Sequence, residues 1–170
     1  MPTINSPTPD ATTLTKGKVQ LAGDLAGTAS APTLSTTAIT LGYTEITTSA
    51  TTTSTTTVQA TGLSVTVTIP AGGRKIRVSA YIPRALHNLG TGYFVGELWD
   101  GTVGSGTRLV DSPYFQSGTA NSGGNLFLSR VVTPSAGSKT YNVGFYGTTA
   151  NTTAITVSAT SPAYIHVEAV

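Results

Sequence analysis

Glu97, Asp100 and Asp111 are the acidic residues that cluster in the second half of the chain. They are the first place to look for chemistry, because glycoside hydrolysis needs two carboxylates facing one bond. The alternation of residues 93 to 99 reads as a strand, which sends Glu97 and Asp100 to opposite faces and spoils the pair. The glycine-rich stretch GTVGSGTR, residues 101–108, lacks the G-K-[ST] ending of a phosphate loop and has no helix to follow it. Gly104-Ser105-Gly106 lacks the G-x-S-x-G spacing of a nucleophile elbow. His87, in a segment read as a loop (ALHNLGTG, 85–92), and His166, on the outward face of the last strand, read as two isolated surface histidines, with a metal pair as the alternative. With no cysteine, thiolate-bound metal and disulfides are both excluded. The expectation is a protein that is not an enzyme, with no catalytic residue, no metal and no cofactor.

Aromatic side chains offer a different chemistry. Tyr81, Tyr93, Trp99, Tyr114, Tyr146 and Tyr164 carry flat faces that stack on sugar rings, although such residues also serve wherever one end is apolar and the other wet. Trp99 with Tyr93 is the pair singled out for glycan contact.

The elements that would position these residues are strands. Charged residues make up only 9% of the 170-residue chain, against roughly 25% in ordinary soluble proteins. Their place is taken by 34 threonines and 19 glycines, a β-forming surface kept wet by hydroxyls rather than charges. The net charge of +2 is too small to argue for nucleic acid, and no apolar run is long enough for a membrane helix. MPTINSPTPD lacks the basic start and apolar core of a secretion signal.

Leu63, Val65, Val67 and Ile69 alternate with Ser64, Thr66 and Thr68, and Ile76, Val78, Ala80 and Ile82 repeat the pattern after Pro70-Ala71-Gly72-Gly73. The two runs read as a hairpin-like pair, the second ended by Pro83. Residues 47–57, TTSATTTSTTT, read as a loop or an exposed edge strand. Arg108 to Val110 and Tyr114 to Gln116 read as short strands. Leu126 to Val132 reads as a strand buried on both sides over part of its length, and Tyr141, Val143 and Phe145 face inward. Ile155, Val157 and Ala159 form a penultimate strand, and Ile165, Val167 and Ala169 the last. About eight to ten short strands with no helical period give an all-β fold, an antiparallel β-sandwich of jelly-roll type with a closed barrel as the alternative. The sandwich domain covers residues 42–170, after an extended N-terminal arm at residues 1–41.

Within that arm, residues 16–34, KGKVQLAGDLAGTASAPTL, hold spaced aliphatics that a free linker does not need. Glycines and Pro32 break any helix, leaving an extended ribbon with a turn near Gly23-Asp24 that suits docking. The pattern K-G-x-V-Q-L-x-G-D-L-x-G-T-A-x-A-P-T resembles a segment at or near the N-terminus of bacteriophage tail-fibre and head-fibre proteins; it covers 18 of the 170 residues. The resemblance implies a homotrimeric appendage on the virion surface, assembled in the host cytoplasm and partnered by the major capsid or tail proteins. Lys16, Val19, Leu21, Asp24, Leu25, Pro32 and Leu34 would be its docking residues. Because the chain is short, a head fibre or capsid-decoration protein is the first reading. A tail-fibre receptor-binding tip or carbohydrate-binding module on a host surface glycan is the alternative. Neither reading involves nucleic acid or a membrane.

Overall fold

The computed structural model describes residues 25–28, 31–34, 40–70, 74–88, 92–112, 115–116 and 123–170. They form two units, residues 1–39 and 40–170. In the first, β1 (Leu25–Thr28) and β2 (Ala31–Leu34) pair antiparallel, with Leu25 opposite Leu34 and Gly27 opposite Pro32. The ribbon therefore pairs with itself over this stretch. The turn expected at Gly23-Asp24 lies outside the described residues.

The second unit is an antiparallel β-sandwich, and no helix occurs among the described residues. One sheet contains β3 (Thr40–Ile46), β4 (Ala50–Thr52), β6 (Ile76–His87), β10 (Gly123–Val132), β12 (Thr153–Ile155) and β13 (Ala163–Ala169). The long strand β6 is its spine: β10 lines one edge, while β13 and then β12 share the other, each carrying β3 or β4 beyond it. The opposite sheet contains β5 (Gln59–Ile69), β7 (Tyr93–Asp100), β8 (Thr107–Asp111), β9 (Phe115–Gln116) and β11 (Gly137–Gly147), with β11 between β5 and β7 and both β8 and β9 on the outer edge of β7. Leu63, Val65, Val67 and Ile69 of β5 meet Ile76, Val78, Ala80 and Ile82 of β6 in one apolar core, joined by Phe94, Leu98, Tyr141, Val143, Phe145, Ile165 and Val167. The Phe94 and Phe145 rings stack at its centre, 5.8 Å apart.

β5 and β6 are not a hairpin. They lie in opposite sheets, so the chain crosses the sandwich between them, and β10 to β11 crosses it again, in the manner of a jelly roll. Alternation reports which face of a strand is buried and is the same whether the next strand pairs beside it or packs across from it. Pro83 does not end β6 either, because it sits where no neighbour needs its missing N–H. Pairing with β13 stops at Tyr81 and pairing with β12 starts at Ala85, while the β10 register skips between Ile82 and Ala85. The strand therefore runs through to His87, inside the stretch expected to be a loop.

Other boundaries shift for similar reasons. The Thr-rich run supplies the short edge strand β4, held against β12. β12 stops at Ile155, and Val157 is buried beyond it while Ser158 and Ser161 close a turn that leaves Ala159 exposed. β10 is buried on one face alone: Leu126 and Leu128 point into the core and Phe127 is exposed. β7, by contrast, is covered on both faces from Phe94 to Trp99. The boundary expected at Gly42 falls inside β3, two residues after its start.

Candidate functional site

The acidic cluster resolves into an ion pair. β7 and β8 pair with a register shift between Leu98 and Trp99, which brings Arg108 opposite Trp99 and over the side chain of Glu97. Arg108 Nη1 donates to Glu97 Oε1 at 2.7 Å, and the Trp99 indole N–H donates to Oε2 at 3.1 Å. Asp111 stands further off, its Oδ2 3.9 Å from Arg108 Nη1. The hydrogen bond to Glu97, and then its charge, push the Arg108 guanidinium above its ordinary range. A carboxylate taken out of water is tolerated when its oxygens are bonded, as both are here. Asp100 points elsewhere, into an open depression of about 470 Å³ lined also by Thr102, Lys139 and Asn142. Asp111 is the cross-strand partner of Glu97, and Arg108 stands between the two carboxylates, bonded to the buried one and 3.9 Å from the other.

His87 is a core residue, not a surface one. Its Nδ1 lies 2.8 Å from Thr153 Oγ1 and its Nε2 2.8 Å from Thr149 Oγ1, and the ring is fully buried. Gly92 and Gly147 close over it so tightly that a Cβ on either would strike the imidazole or the two hydroxyls. Burial lowers the His87 pKa below its usual value. His166 lies in β13 with Nε2 3.2 Å from Thr40 Oγ1. The two histidines share no site, and no cluster of three metal-ligating side chains occurs among the described residues.

The aromatic pair singled out from sequence is not a platform. Trp99 is 8% exposed, with its indole N–H committed to Glu97. Tyr93 is half-buried at the far end of the same strand, roughly 20 Å away at the rise of an extended chain. No single sugar ring spans them. Tyr114 lies outside the described residues.

The open aromatic surface is instead the outer face of the six-stranded sheet. Register places Tyr164 of β13 beside Tyr81 of β6, and Tyr81 beside Phe127 of β10. Tyr43 of β3 leans on Tyr164 with ring centroids 5.8 Å apart and planes at 28°, and Tyr164 leans on Tyr81 at 5.6 Å and 32°. Tyr43 is 53% exposed and Phe127 61%. Polar contacts run between the rings: Tyr43 donates to Glu45 at 3.0 Å, Arg77 to Glu168 at 2.9 Å, and the Ser79 and Ser129 hydroxyls meet at 3.3 Å. Desolvation and then the Glu45 hydrogen bond raise the Tyr43 pKa, so the phenol stays a donor. Tyr81 and Tyr164 are among the aromatics that the sequence offers for stacking on sugar rings. Tyr43 and Phe127 are not, because only the strand order β3-β13-β6-β10 gathers them.

Of the docking residues, Leu25, Pro32 and Leu34 fall in the β1–β2 hairpin, where Leu25 and Leu34 are direct partners. Lys16, Val19, Leu21 and Asp24 lie outside the described residues.

Residues 9–72 match the model of a family described as a repeat of unknown function, DUF5907. A stretch of 34 residues is 68% identical to an uncharacterized protein, 443R, of Invertebrate iridescent virus 6, covering 20% of this chain. The match spans only about 1% of that viral protein's length. Among solved structures, Eiger TNF from S. frugiperda is similar at 11% identity, covering 78% of this chain and 92% of that one with a TM-score of 0.43.

Proposed function

We propose that this chain is a non-enzymatic structural protein of a virus particle, a head-fibre or capsid-decoration type of protein whose N-terminal arm fastens to the particle while the sandwich faces outward. The observation that carries this reading is the Lys16 to Thr33 segment with its fibre-like pattern, part of which forms the β1–β2 hairpin. Two four-residue strands are marginal alone in water, so such a hairpin gains most when further strands or a docking surface cover it. The match of residues 9–72 to a repeat family is consistent with a modular attachment segment at that end of the chain, and the 34-residue match to a viral protein is consistent with a viral setting. Three copies would multiply weak attachment through effective concentration, and the partners would be the particle's major capsid or tail proteins.

The test is deletion of residues 1–39, just ahead of β3. The truncated chain is expected to fold with the thermal transition of the parent and to be absent from purified particles. Incorporation at the copy number of the full chain would reject the proposal. A second reading, a tail-fibre tip or carbohydrate-binding module, is favoured by one observation, the exposed aromatic face of the six-stranded sheet.

A further inference from the structure

We propose that the outer face of the six-stranded sheet, from Tyr43 to Phe127, is a saccharide-binding platform that takes a linear, uncharged oligosaccharide laid across the strands. The inference rests on the second reading above and is independent of how the chain is attached to a particle.

Among the described residues the two aromatics that are more than half exposed, Tyr43 and Phe127, both lie on this face. On the opposite sheet β5 turns Ser64, Thr66 and Thr68 outward, and Thr66 and Thr140 hydroxyls meet there at 2.8 Å. On the six-stranded sheet four adjacent strands contribute Tyr43, Tyr164, Tyr81 and Phe127, with the His166 ring of β13 edge-on to Tyr43 at 6.3 Å. Three strand spacings make the row roughly 14 Å long, the footprint of a short oligosaccharide rather than a monosaccharide. The inner rings lean on one another and present edges and hydroxyls, so open ring surface lies at the two ends, on Tyr43 and Phe127.

Between those ends the face is polar in a particular way. Glu45, the Thr40–His166 contact, the Ser79–Ser129 pair and the Arg77–Glu168 ion pair set donors and acceptors beside the rings. A pyranose has the matching character, an apolar C–H face that lies on a ring and a rim of hydroxyls that both donate and accept. A second copy of the chain is a poorer match, since a flat protein face pressed here would strip water from Glu45 and from the Arg77–Glu168 pair without offering small hydroxyls to replace it. The charged groups named on the face, Glu45, Arg77 and Glu168, leave one negative charge in excess, which disfavours an anionic chain and leaves a neutral one. The tyrosines are fixed by their neighbours before any ligand arrives, which limits the ordering cost of binding.

The experiment is NMR titration of the full chain with cello-, chito- and malto-oligosaccharides, tetra- to hexasaccharide, followed by affinity measurement on variants. At least one series is expected to bind and to shift residues of β3, β13, β6 and β10. Tyr43→Ala and Phe127→Ala are each expected to weaken it up to about tenfold, as the loss of one stacked ring implies. Tyr43→Phe keeps most of the affinity, and Tyr93→Ala leaves it unchanged. Both alanine sites are exposed, so the variants fold, and an unchanged thermal transition verifies this. Absence of binding by all three series at millimolar concentration overturns the proposal, as does affinity indifferent to both alanine variants. So does a chain that binds no saccharide but self-associates until Tyr43→Ala or Phe127→Ala releases monomers, which would make the face a contact between copies. Any of these leaves the arm-deletion experiment to decide the attachment reading by itself.

Discussion

Glu97 is 1% exposed while Arg108, its partner at 2.7 Å, is 50% exposed, so the two ends of one ion pair live in different media. Removing the solvated partner strands a buried carboxylate, whereas neutralising the buried one releases an arginine that water can take back. Arg108→Ala is therefore expected to cost about 3–5 kcal/mol and Glu97→Gln only about 1–2 kcal/mol, since the amide oxygen still accepts a hydrogen bond. Chemical denaturation of both variants measures the order. A larger loss for Glu97→Gln would mean that the carboxylate is solvated in a way its burial denies.

His87 gives the fold a response to acid. Its folded pKa lies below the ordinary 6.5 because charging the ring inside the core loses hydration. Both ring nitrogens face threonine hydroxyls, of Thr149 and Thr153, and β12 and the 148–152 turn bring no charged side chain into contact with it. The unfolded chain then takes up a proton at a pH where the folded chain does not. Stability is fully present above about 6.5 and falls as pH drops from there toward the lowered folded value. The midpoint of urea unfolding should decline between pH 7 and pH 5, and His87→Gln should lower stability at pH 7 yet flatten that decline. An equally steep decline in the variant would assign the effect to other groups.

How much of this was readable in the chain depends on which physical signal each feature leaves. The all-β class was legible in the absence of helical period and in runs such as Leu63-Val65-Val67-Ile69, whose inward faces the structure shows. Partnership was not, because β5 and β6 carry the same alternation whether they pair or oppose each other. His87 looked like a loop residue since Pro83 precedes it, and only the gap between the β13 and β12 registers explains why a proline fits in that strand. Trp99 looked like a ligand contact because its type is common in such sites; its burial comes from Arg108 and Glu97 closing against it through a register shift that leaves no mark in sequence. The aromatic face was invisible for a related reason, as Tyr43 and Phe127 are 84 positions apart and meet one surface only through strand order.

Tyr141 carries the one buried side-chain polar atom without a partner among the described residues, its hydroxyl, at the heart of the core. Desolvation, and then the charge of Asp100, push this phenol up to about 12, so it stays neutral at any pH the fold survives. An unpaired buried hydroxyl is a cost of about 1–3 kcal/mol that phenylalanine avoids at nearly the same shape. Tyr141→Phe is expected to raise stability by about 1 kcal/mol, read as a higher melting temperature. A fall of similar size would show that a bound water satisfies the hydroxyl.

Gly42 of β3 packs directly against the opposite sheet. A Cβ there would lie 2.6 Å from Val67 Cγ1 and 2.8 Å from Val65 Cγ2, and valine in a strand has little rotamer freedom with which to retreat. Gly42→Ala should therefore overpack the core and cost about 1–3 kcal/mol, although alanine suits a strand better than glycine elsewhere. Val67→Ala alone should leave a cavity costing about 2–4 kcal/mol. Combined, the new methyl occupies space the lost methyls vacate, so the double variant should be at least 1 kcal/mol more stable than the sum of the two losses predicts. Strict additivity in a double-mutant cycle would mean that β3 moves away as a unit to admit the methyl, and that its seat on the core is soft.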